Sequence, residues 1–146
     1  MKTEKARTIT RRLDLTPRFH QTDMMGVVHN AEYFLWFEEG RLQIMTCVIA
    51  VTEALKLGVI TPVVENHCVY KTPARFGDKL TLVTTHNLLP AYEGRLRFDH
   101  HLVNRTTKVE IASGHTVITL VDATNMQLIK EWSTELWARY QALGQE

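Results

Sequence analysis

The chain has 146 residues and a formal net charge of +1, and 45% of its residues are hydrophobic. A chain of this length typically folds as one domain that buries its core without disulfides or metals. The near-neutral charge excludes a strong general attraction to nucleic acid or to anionic membranes. No apolar run approaches the roughly 20 residues that cross a bilayer. We therefore expect a single domain over residues 1–146.

The cysteines and the first residues indicate the compartment. Cys47 and Cys68 both lie among apolar residues, without the spacing of a zinc site. We expect them to be small buried side chains of a reducing compartment. Residues 1–12 are charged and lack the apolar stretch of a secretory signal. These features predict a cytoplasmic protein.

The first predicted element is a strand within residues 8–19. Apolar residues of one parity favour it, namely Ile9, Leu13, Leu15 and Phe19. Arg11 interrupts the apolar side, so we expect the strand to begin in solvent. Pro17 is typical of an edge strand or a strand end.

A polar loop that carries Asp23 turns at Gly26 and leads into a strongly apolar helical pattern. The helical spacing includes Tyr33, Trp36, Phe37, Gly40, Ile44, Cys47 and Val48, and further apolar residues surround it. A helix that is apolar on most faces is usually buried. We expect it to begin at His29 or Asn30, with Glu32 in its first turn.

The rest of the chain predicts a short helix, four strands and a C-terminal helix. The short helix covers Thr52–Leu57 and ends at Gly58, a favourable C-cap residue. The predicted strands are Val63–Lys71, Leu80–Leu89, Arg95–Asn104 and Val109–Val121. The last helix contains Ile129, Trp132, Leu136, Tyr140 and Leu143, with Ser133 or Thr134 as its cap.

Short connections between these strands require mostly antiparallel pairing. The long helix is too apolar to face water, so the sheet must curl around it. The sequence thus predicts an α+β domain in which an antiparallel sheet surrounds one central helix.

Three segments resemble the hotdog fold, specifically the 4-hydroxybenzoyl-CoA thioesterase family. They are residues 22–41 (TDMMGVVHNAEYFLWFEEGR), residues 63–70 (VVENHCVY) and residues 73–78 (PARFGD). The resemblance implies a sheet wrapped around the long helix and dimers whose active sites lie at the subunit interface. Tetramers are common in the family. The family resemblance also implies that the substrate is an acyl thioester, carried by coenzyme A or by an acyl-carrier protein.

Asp23 matches the loop aspartate of that family, which acts as a nucleophile or as a general base for water. A thioester carbonyl is an electrophile that a carboxylate, or water activated by it, can attack. The structural alternative is that Asp23 only caps the loop or the helix. The family motif around Asp23 favours catalysis.

His29 and Asn30 are the other catalytic candidates. Backbone N–H groups at this helix start could stabilise the oxyanion that forms on the thioester oxygen. Many bacterial acyl-CoA thioesterases of the family carry a histidine where this chain has Asn30. His29 lies one residue earlier. An offset of one residue rotates a side chain by about 100° around the helix axis, so His29 does not simply replace that histidine. An asparagine at this position instead resembles the branches of the family that include acyl-carrier-protein thioesterases.

Six residues are candidates for contact with the substrate: Gly26, Tyr33, Arg41, Arg75, Arg95 and Arg97. The phosphates of a coenzyme need cations, which an arginine supplies well. Arg95 and Arg97 share one face of a predicted strand. Arg41 matches a position implicated in some carrier-protein thioesterases, but its spacing also favours an ion pair with Glu38.

We therefore expect a hotdog thioesterase that hydrolyses an acyl thioester, most simply acyl-CoA. Two alternatives stay open, an acyl-carrier-protein thioesterase and a non-catalytic acyl-thioester binding protein. The seven histidines lack a metal-ligand spacing, so we expect no metal and no cofactor. A homodimer or homotetramer is the expected assembly, without nucleic acid or membrane partners.

Overall fold

A computed structural model gives the structure of the chain and describes residues 7–145. Its main sheet has five antiparallel strands in the order β1-β4-β5-β6-β3. These strands are β1 (Thr8–Leu15), β3 (Val63–Tyr70), β4 (Leu80–Asn87), β5 (Leu96–Asn104) and β6 (Glu110–Ile118). A second, small sheet contains β2 (Val59–Ile60), β7 (Val121–Asp122) and β8 (Gln127–Leu128).

Three α-helices accompany the sheets. They are α1 (Glu32–Met45), α2 (Val51–Leu57) and α3 (Thr134–Ala142). Gly58 ends α2 in the left-handed conformation, with φ of 66°, which a residue without Cβ adopts at little cost. The Ser133 hydroxyl accepts the Leu136 N–H at 3.2 Å and caps α3.

Helix α1 lies across the main sheet and contacts all five of its strands. Gly40 permits this close approach, because a Cβ there would collide with the Thr84 and Leu82 side chains of β4. The Phe37 ring stacks on the His100 ring of β5, with centroids 4.3 Å apart and planes 8° apart. The sheet and the helix therefore enclose the core as the hotdog arrangement requires.

Strand β3 forms one edge of the main sheet and pairs only with β6. All but one of its residues are exposed, although β3 includes the apolar side chains of Val63, Val64 and Val69. An exposed edge strand presents unpaired backbone groups to any neighbouring chain.

A buried hydrogen-bond network closes the C-terminal end of α1. The His86 ring contacts the Arg97 carbonyl through Nδ1 (2.7 Å) and the Tyr140 hydroxyl through Nε2 (2.8 Å). The Tyr140 hydroxyl also accepts the Leu89 N–H at 2.9 Å. The network joins α3 to β4, and Ile44 and Met45 of α1 pack in the same core cluster.

Helix α1 is shorter than predicted and begins two or three residues later. It starts at Glu32 rather than at His29 or Asn30, because the His29–Ala31 segment forms a turn. Cys47 lies beyond its end and is exposed, so the prediction that it is buried was wrong. Val48 is buried as expected, outside the helix.

The first strand also ends earlier than the alternation indicated. β1 stops at Leu15, ahead of Pro17, and Phe19 lies in a short 3-10 turn (Phe19–Gln21) with its ring exposed. The predicted strand over Val109–Val121 divides into β6 and the separate short strand β7. No helix within residues 7–145 combines the length and apolarity needed to cross a membrane.

Candidate active site

The Asp23 loop is a tight turn held by its own hydrogen bonds. The Met25 N–H donates to Asp23 Oδ1 at 2.8 Å, and the Gly26 N–H donates to the Asp23 carbonyl at 3.0 Å. The Asp23 N–H in turn donates to the Val27 carbonyl at 2.9 Å. Gly26 has φ of 74°, a left-handed value that favours glycine. The carboxylate therefore has a fixed direction, with Oδ1 engaged and Oδ2 left without a hydrogen bond from residues 7–145.

The turn between this loop and α1 uses nearly all of its polar backbone groups. The His29 N–H donates to the Gln21 carbonyl (2.8 Å), and the His29 carbonyl accepts the Glu32 N–H (3.0 Å). The Ala31 N–H donates to His29 Nδ1 at 3.1 Å. The Asn30 N–H is the exception, since no acceptor for it lies within the described part of the chain. The Asn30 N–H is thus a backbone donor without an acceptor just before the helix start.

Asp23, His29, Asn30 and Tyr33 line one cavity of about 480 Å³. Its other lining residues are Met25, Val27, Val28, Tyr70, Lys71, Thr72 and Pro73. The cavity thus lies between the Asp23 loop, the first turn of α1 and the end of β3. Asp23 and Asn30 line it together with apolar side chains, and such a mixture of polar and apolar residues is common in small-molecule sites.

Tyr70 connects the end of β3 to the turn before α1. Its hydroxyl donates to the Asn30 carbonyl at 2.8 Å, and its ring meets the Tyr33 ring edge-on at 4.9 Å. Burial, with a smaller contribution from Cys68, raises the pKa of Tyr70 to about 12. The hydroxyl therefore stays protonated and remains a donor at neutral pH.

The cationic candidates lie in three different places. The Arg75 guanidinium is 3.9 Å from the position that a Cβ on Gly26 would occupy, so it lies against the Asp23 loop. Arg95 and Arg97 lie away from that loop, near Glu65 of β3, whose pKa they help to lower after the larger effect of the His115 hydrogen bond. Arg97 also forms an ion pair with Asp99 at 3.1 Å.

Arg41 is buried within the fold, with 5% of its surface exposed. Its Nε has no hydrogen-bond partner among residues 7–145. The expected ion pair with Glu38 does not form within 4.0 Å, although Glu38 is close enough to raise the pKa of Arg41 partially against the larger lowering by burial. Arg41 does not line the cavity that contains Asp23.

Sequence reasoning did not single out Tyr70 and Lys71 as site residues, although both line the cavity. Tyr70 lies 40 positions from Asn30 in sequence, so no local pattern predicts their contact. The available signal was the position of Tyr70 at the end of the second segment of the family resemblance. Lys71 donates to Glu110 at 2.7 Å and is thereby tied to β6.

Comparison with known proteins gives one family and a consistent set of folds. The profile of the thioesterase-like superfamily matches residues 17–139. A Bacillus subtilis protein described as a candidate acyl-CoA thioesterase is 28% identical over 100 residues, covering 67% of this chain and 70% of the relative.

Two solved structures from Staphylococcus aureus share the fold. The DHNA-CoA thioesterase matches with a TM-score of 0.76 and 22% identity, over 93% of each chain. A second protein, determined in complex with CoA, matches with a TM-score of 0.80 and 12% identity, over 98% of this chain and 89% of its own. These likenesses establish the shared hotdog-like fold.

Proposed function

Because the chain belongs to the thioesterase-like superfamily, we propose that it hydrolyses an acyl-CoA thioester to a free acid and CoA. The observation that carries the proposal is one cavity lined by both Asp23 and Asn30. The cavity offers a carboxylate to start the reaction and an unused N–H to stabilise its intermediate. The relatives described above as acyl-CoA and DHNA-CoA thioesterases support a CoA ester as the substrate class.

Asp23 is the proposed catalytic carboxylate. Its Oδ1 is held by the Met25 N–H, so Oδ2 is the oxygen available for chemistry. As a general base it takes a proton from water, whose oxygen then bonds to the thioester carbon. As a nucleophile it bonds to that carbon itself, and water later cleaves the resulting anhydride. In both routes the C–S bond breaks and CoA leaves as a thiolate.

The Asn30 N–H is the proposed oxyanion donor. Attack on the thioester carbon moves negative charge onto the carbonyl oxygen, and a pre-oriented amide stabilises that charge without reorganising. The positive end of the α1 dipole acts in the same direction. The leaving thiolate has an ordinary pKa near about 8.5 by analogy with cysteine, so departure does not require a strong acid.

We propose a role for His29 that differs from the role of a histidine at position 30. Its Nδ1 accepts the Ala31 N–H, so the proton of the neutral ring is on Nε2. We propose that Nε2–H faces the substrate as a donor, while Nδ1 holds the turn. Tyr33 and Gly26 shape the cavity and its loop, and Arg75 is the cation best placed for a substrate phosphate.

We further propose that two copies pair through β3 and that the protein acts in the cytoplasm. The exposed edge of β3 supports the pairing, since a second β3 would satisfy its unpaired backbone groups. Tyr70, at the end of the same strand, lines the cavity, so pairing would bring the partner close to the site. In that arrangement Arg95 and Arg97 would contact substrate bound to the partner. Pairs of dimers would form the tetramer.

The test is thiol release from short-chain, long-chain and aromatic acyl-CoA esters. We expect at least one ester to turn over, and Asp23→Asn to lower kcat by roughly 100-fold or more. Asp14→Asn is the matched control, because Asp14 is an exposed carboxylate of β1 paired with Arg105. Turnover in the wild type that survives Asp23→Asn with every ester would contradict the assigned mechanism. Tight CoA-ester binding without any turnover would support a binding protein instead.

A further inference from the structure

Two phenylalanine rings stand exposed beside the site. Phe19 is 78% exposed and Phe76 is 63% exposed, whereas Phe37 and Phe98 are fully buried. The two exposed rings form an edge-to-face pair, with centroids 6.0 Å apart and planes at 87°. This geometry leaves a broad ring face open to solvent, which is unusual for a soluble protein unless the face binds something.

Each ring belongs to a segment that adjoins the catalytic cavity, although neither ring lines it. Phe19 lies in the 3-10 turn whose carbonyl accepts the Thr22 N–H, directly before Asp23. Phe76 follows Pro73, which lines the cavity, and Ala74, whose carbonyl accepts the Val28 N–H at 2.8 Å. The aromatic pair therefore joins two segments that adjoin the cavity.

Two arginines accompany the rings in the sequence. Arg18 precedes Phe19 and Arg75 precedes Phe76, and the Arg75 group lies against Gly26 of the Asp23 loop. Neither side chain forms an ion pair with a residue in the range 7–145. Asp78 is the nearby carboxylate, and one of its oxygens accepts the Arg75 backbone N–H at 2.9 Å. Both guanidinium groups are therefore available to an anion, Arg75 beside the Asp23 loop and Arg18 beside a neighbouring polar depression that Asp14 and Glu39 also line.

We propose that the Phe19–Phe76 pair, with Arg18 and Arg75, binds the nucleotide end of coenzyme A. The inference rests on the proposed hydrolysis of acyl-CoA and assigns where its adenine and phosphates lie. Adenine is flat and stacks on an open aromatic face, a contact that does not depend on the identity of the base. Guanidinium groups bind phosphate oxygens in a bidentate manner. The pantetheine arm then leads from these residues to the thioester carbon beside Asp23.

A second copy of the chain is the competing occupant. A two-fold axis would place the same patch of both copies face to face. That contact would bring the unpaired Arg18 and Arg75 of one copy against those of the other, and like charges oppose it. An anionic ligand relieves the same charge, so the observations favour the nucleotide.

The test compares one acyl group on two carriers, coenzyme A and N-acetylcysteamine, which lacks the nucleotide. For Phe76→Ala, Phe19→Ala and Arg75→Gln, we expect the ratio of kcat/KM for the CoA ester to that for the short ester to fall about tenfold. Leu128→Ala is the control, since Leu128 is an equally exposed apolar side chain of β8. Its ratio is expected to match that of the wild type.

Calorimetric titration of CoA itself keeps this test separate from the proposed hydrolysis. We expect the Kd of CoA to rise about tenfold in Phe76→Ala, whether or not any ester is turned over. An unchanged Kd and an unchanged substrate ratio would overturn the nucleotide site. A lower mass of Phe76→Ala by light scattering, with CoA binding intact, would assign the rings to a second copy instead. Absence of turnover in the wild type would count against the hydrolysis alone.

Discussion

At the C-terminal end of α1, the His86 ring uses both nitrogens, one on the Arg97 carbonyl and one on the Tyr140 hydroxyl. At the N-terminal end, the Asn30 N–H has no acceptor within the described residues, and Asp23 keeps one carboxylate oxygen free. An apolar cavity of about 240 Å³ lies near the first end, and the cavity with the carboxylate lies at the second.

This difference separates polar groups that hold the fold from polar groups that are left for a ligand. A buried hydrogen bond that is satisfied on both sides contributes to stability and offers nothing to a substrate. A donor that is fixed in direction but lacks an acceptor gains one only when a substrate arrives. The comparison predicts that changes at one end alter activity and changes at the other alter stability.

The largest expected effect is the loss of the free amide. Asn30→Pro removes the N–H, and because position 30 lies before the first helical residue the proline interrupts no helical hydrogen bond. We expect kcat to fall about 100- to 1000-fold, the usual cost of one oxyanion donor. Asn30→Ala keeps the N–H and is expected to retain most of the activity. Equal losses in both variants would assign the function to the Asn30 side chain rather than to its backbone.

The opposite result is expected at the other end of the helix. Tyr140→Phe removes the hydroxyl and leaves His86 Nε2 and the Leu89 N–H without their partner. Each unsatisfied buried group costs about 1–3 kcal/mol. Urea unfolding is expected to show a stability loss of that size, with kcat of the folded enzyme nearly unchanged. A large kcat effect without a stability loss would break the comparison.

His100 lies between the two ends and tests the buried middle of the structure. Burial, followed by the Arg41 charge, lowers the pKa of His100 to about 3. The unfolded chain binds this proton near pH 6.5, so the stability contribution is complete above about 6.5 and falls as the pH drops towards 3. One such group contributes a slope of up to about 1.4 kcal/mol per pH unit.

Denaturant unfolding at several pH values within that window measures the slope. His100→Gln cannot titrate, so its stability is expected to depend less on pH than that of the wild type. Equal slopes in the two proteins would mean that His100 titrates alike in the folded and unfolded chains. Burial and the Arg41 charge would then not be keeping the ring neutral.

The smallest expected effect is that of Tyr70→Phe. The change removes the hydrogen bond to the Asn30 carbonyl but keeps the ring contact with Tyr33. A single hydrogen bond of this kind is worth about 1 kcal/mol, so we expect kcat to fall about fivefold with little change in KM. Tyr92→Phe, at the other end of the molecule, is the matched control. A KM effect alone would make Tyr70 a wall of the cavity and nothing more.

The sequence was most informative where a local signal decides the structure. Gly58 predicted the end of α2, and Ser133 predicted the cap of α3, because each acts on its own neighbours. The family segments indicated the fold and directed attention to Asp23.

Contacts between distant segments could not be predicted in this way. The alternation of apolar residues continues past Pro17 to Phe19, but the strand ends at Leu15. Alternation alone therefore could not show that Phe19 lies outside the sheet. The approach of Tyr70 to Asn30 depends on how β3 and α1 pack. The unused Asn30 N–H follows only from a count of acceptors around the turn, which requires coordinates.

Gly40 has a mechanical consequence for this molecule. Because residue 40 has no side chain, the middle of α1 packs closely on β4. Roughly 12 Å of stiff helix separates Gly40 from Glu32. A methyl group at position 40 would push the middle of α1 away from β4, and the helix would tilt about that point. A small displacement at the sheet would then reach the first turn as a change in the aim of the Asn30 N–H. Rate could thus be tuned from a residue that never meets the substrate.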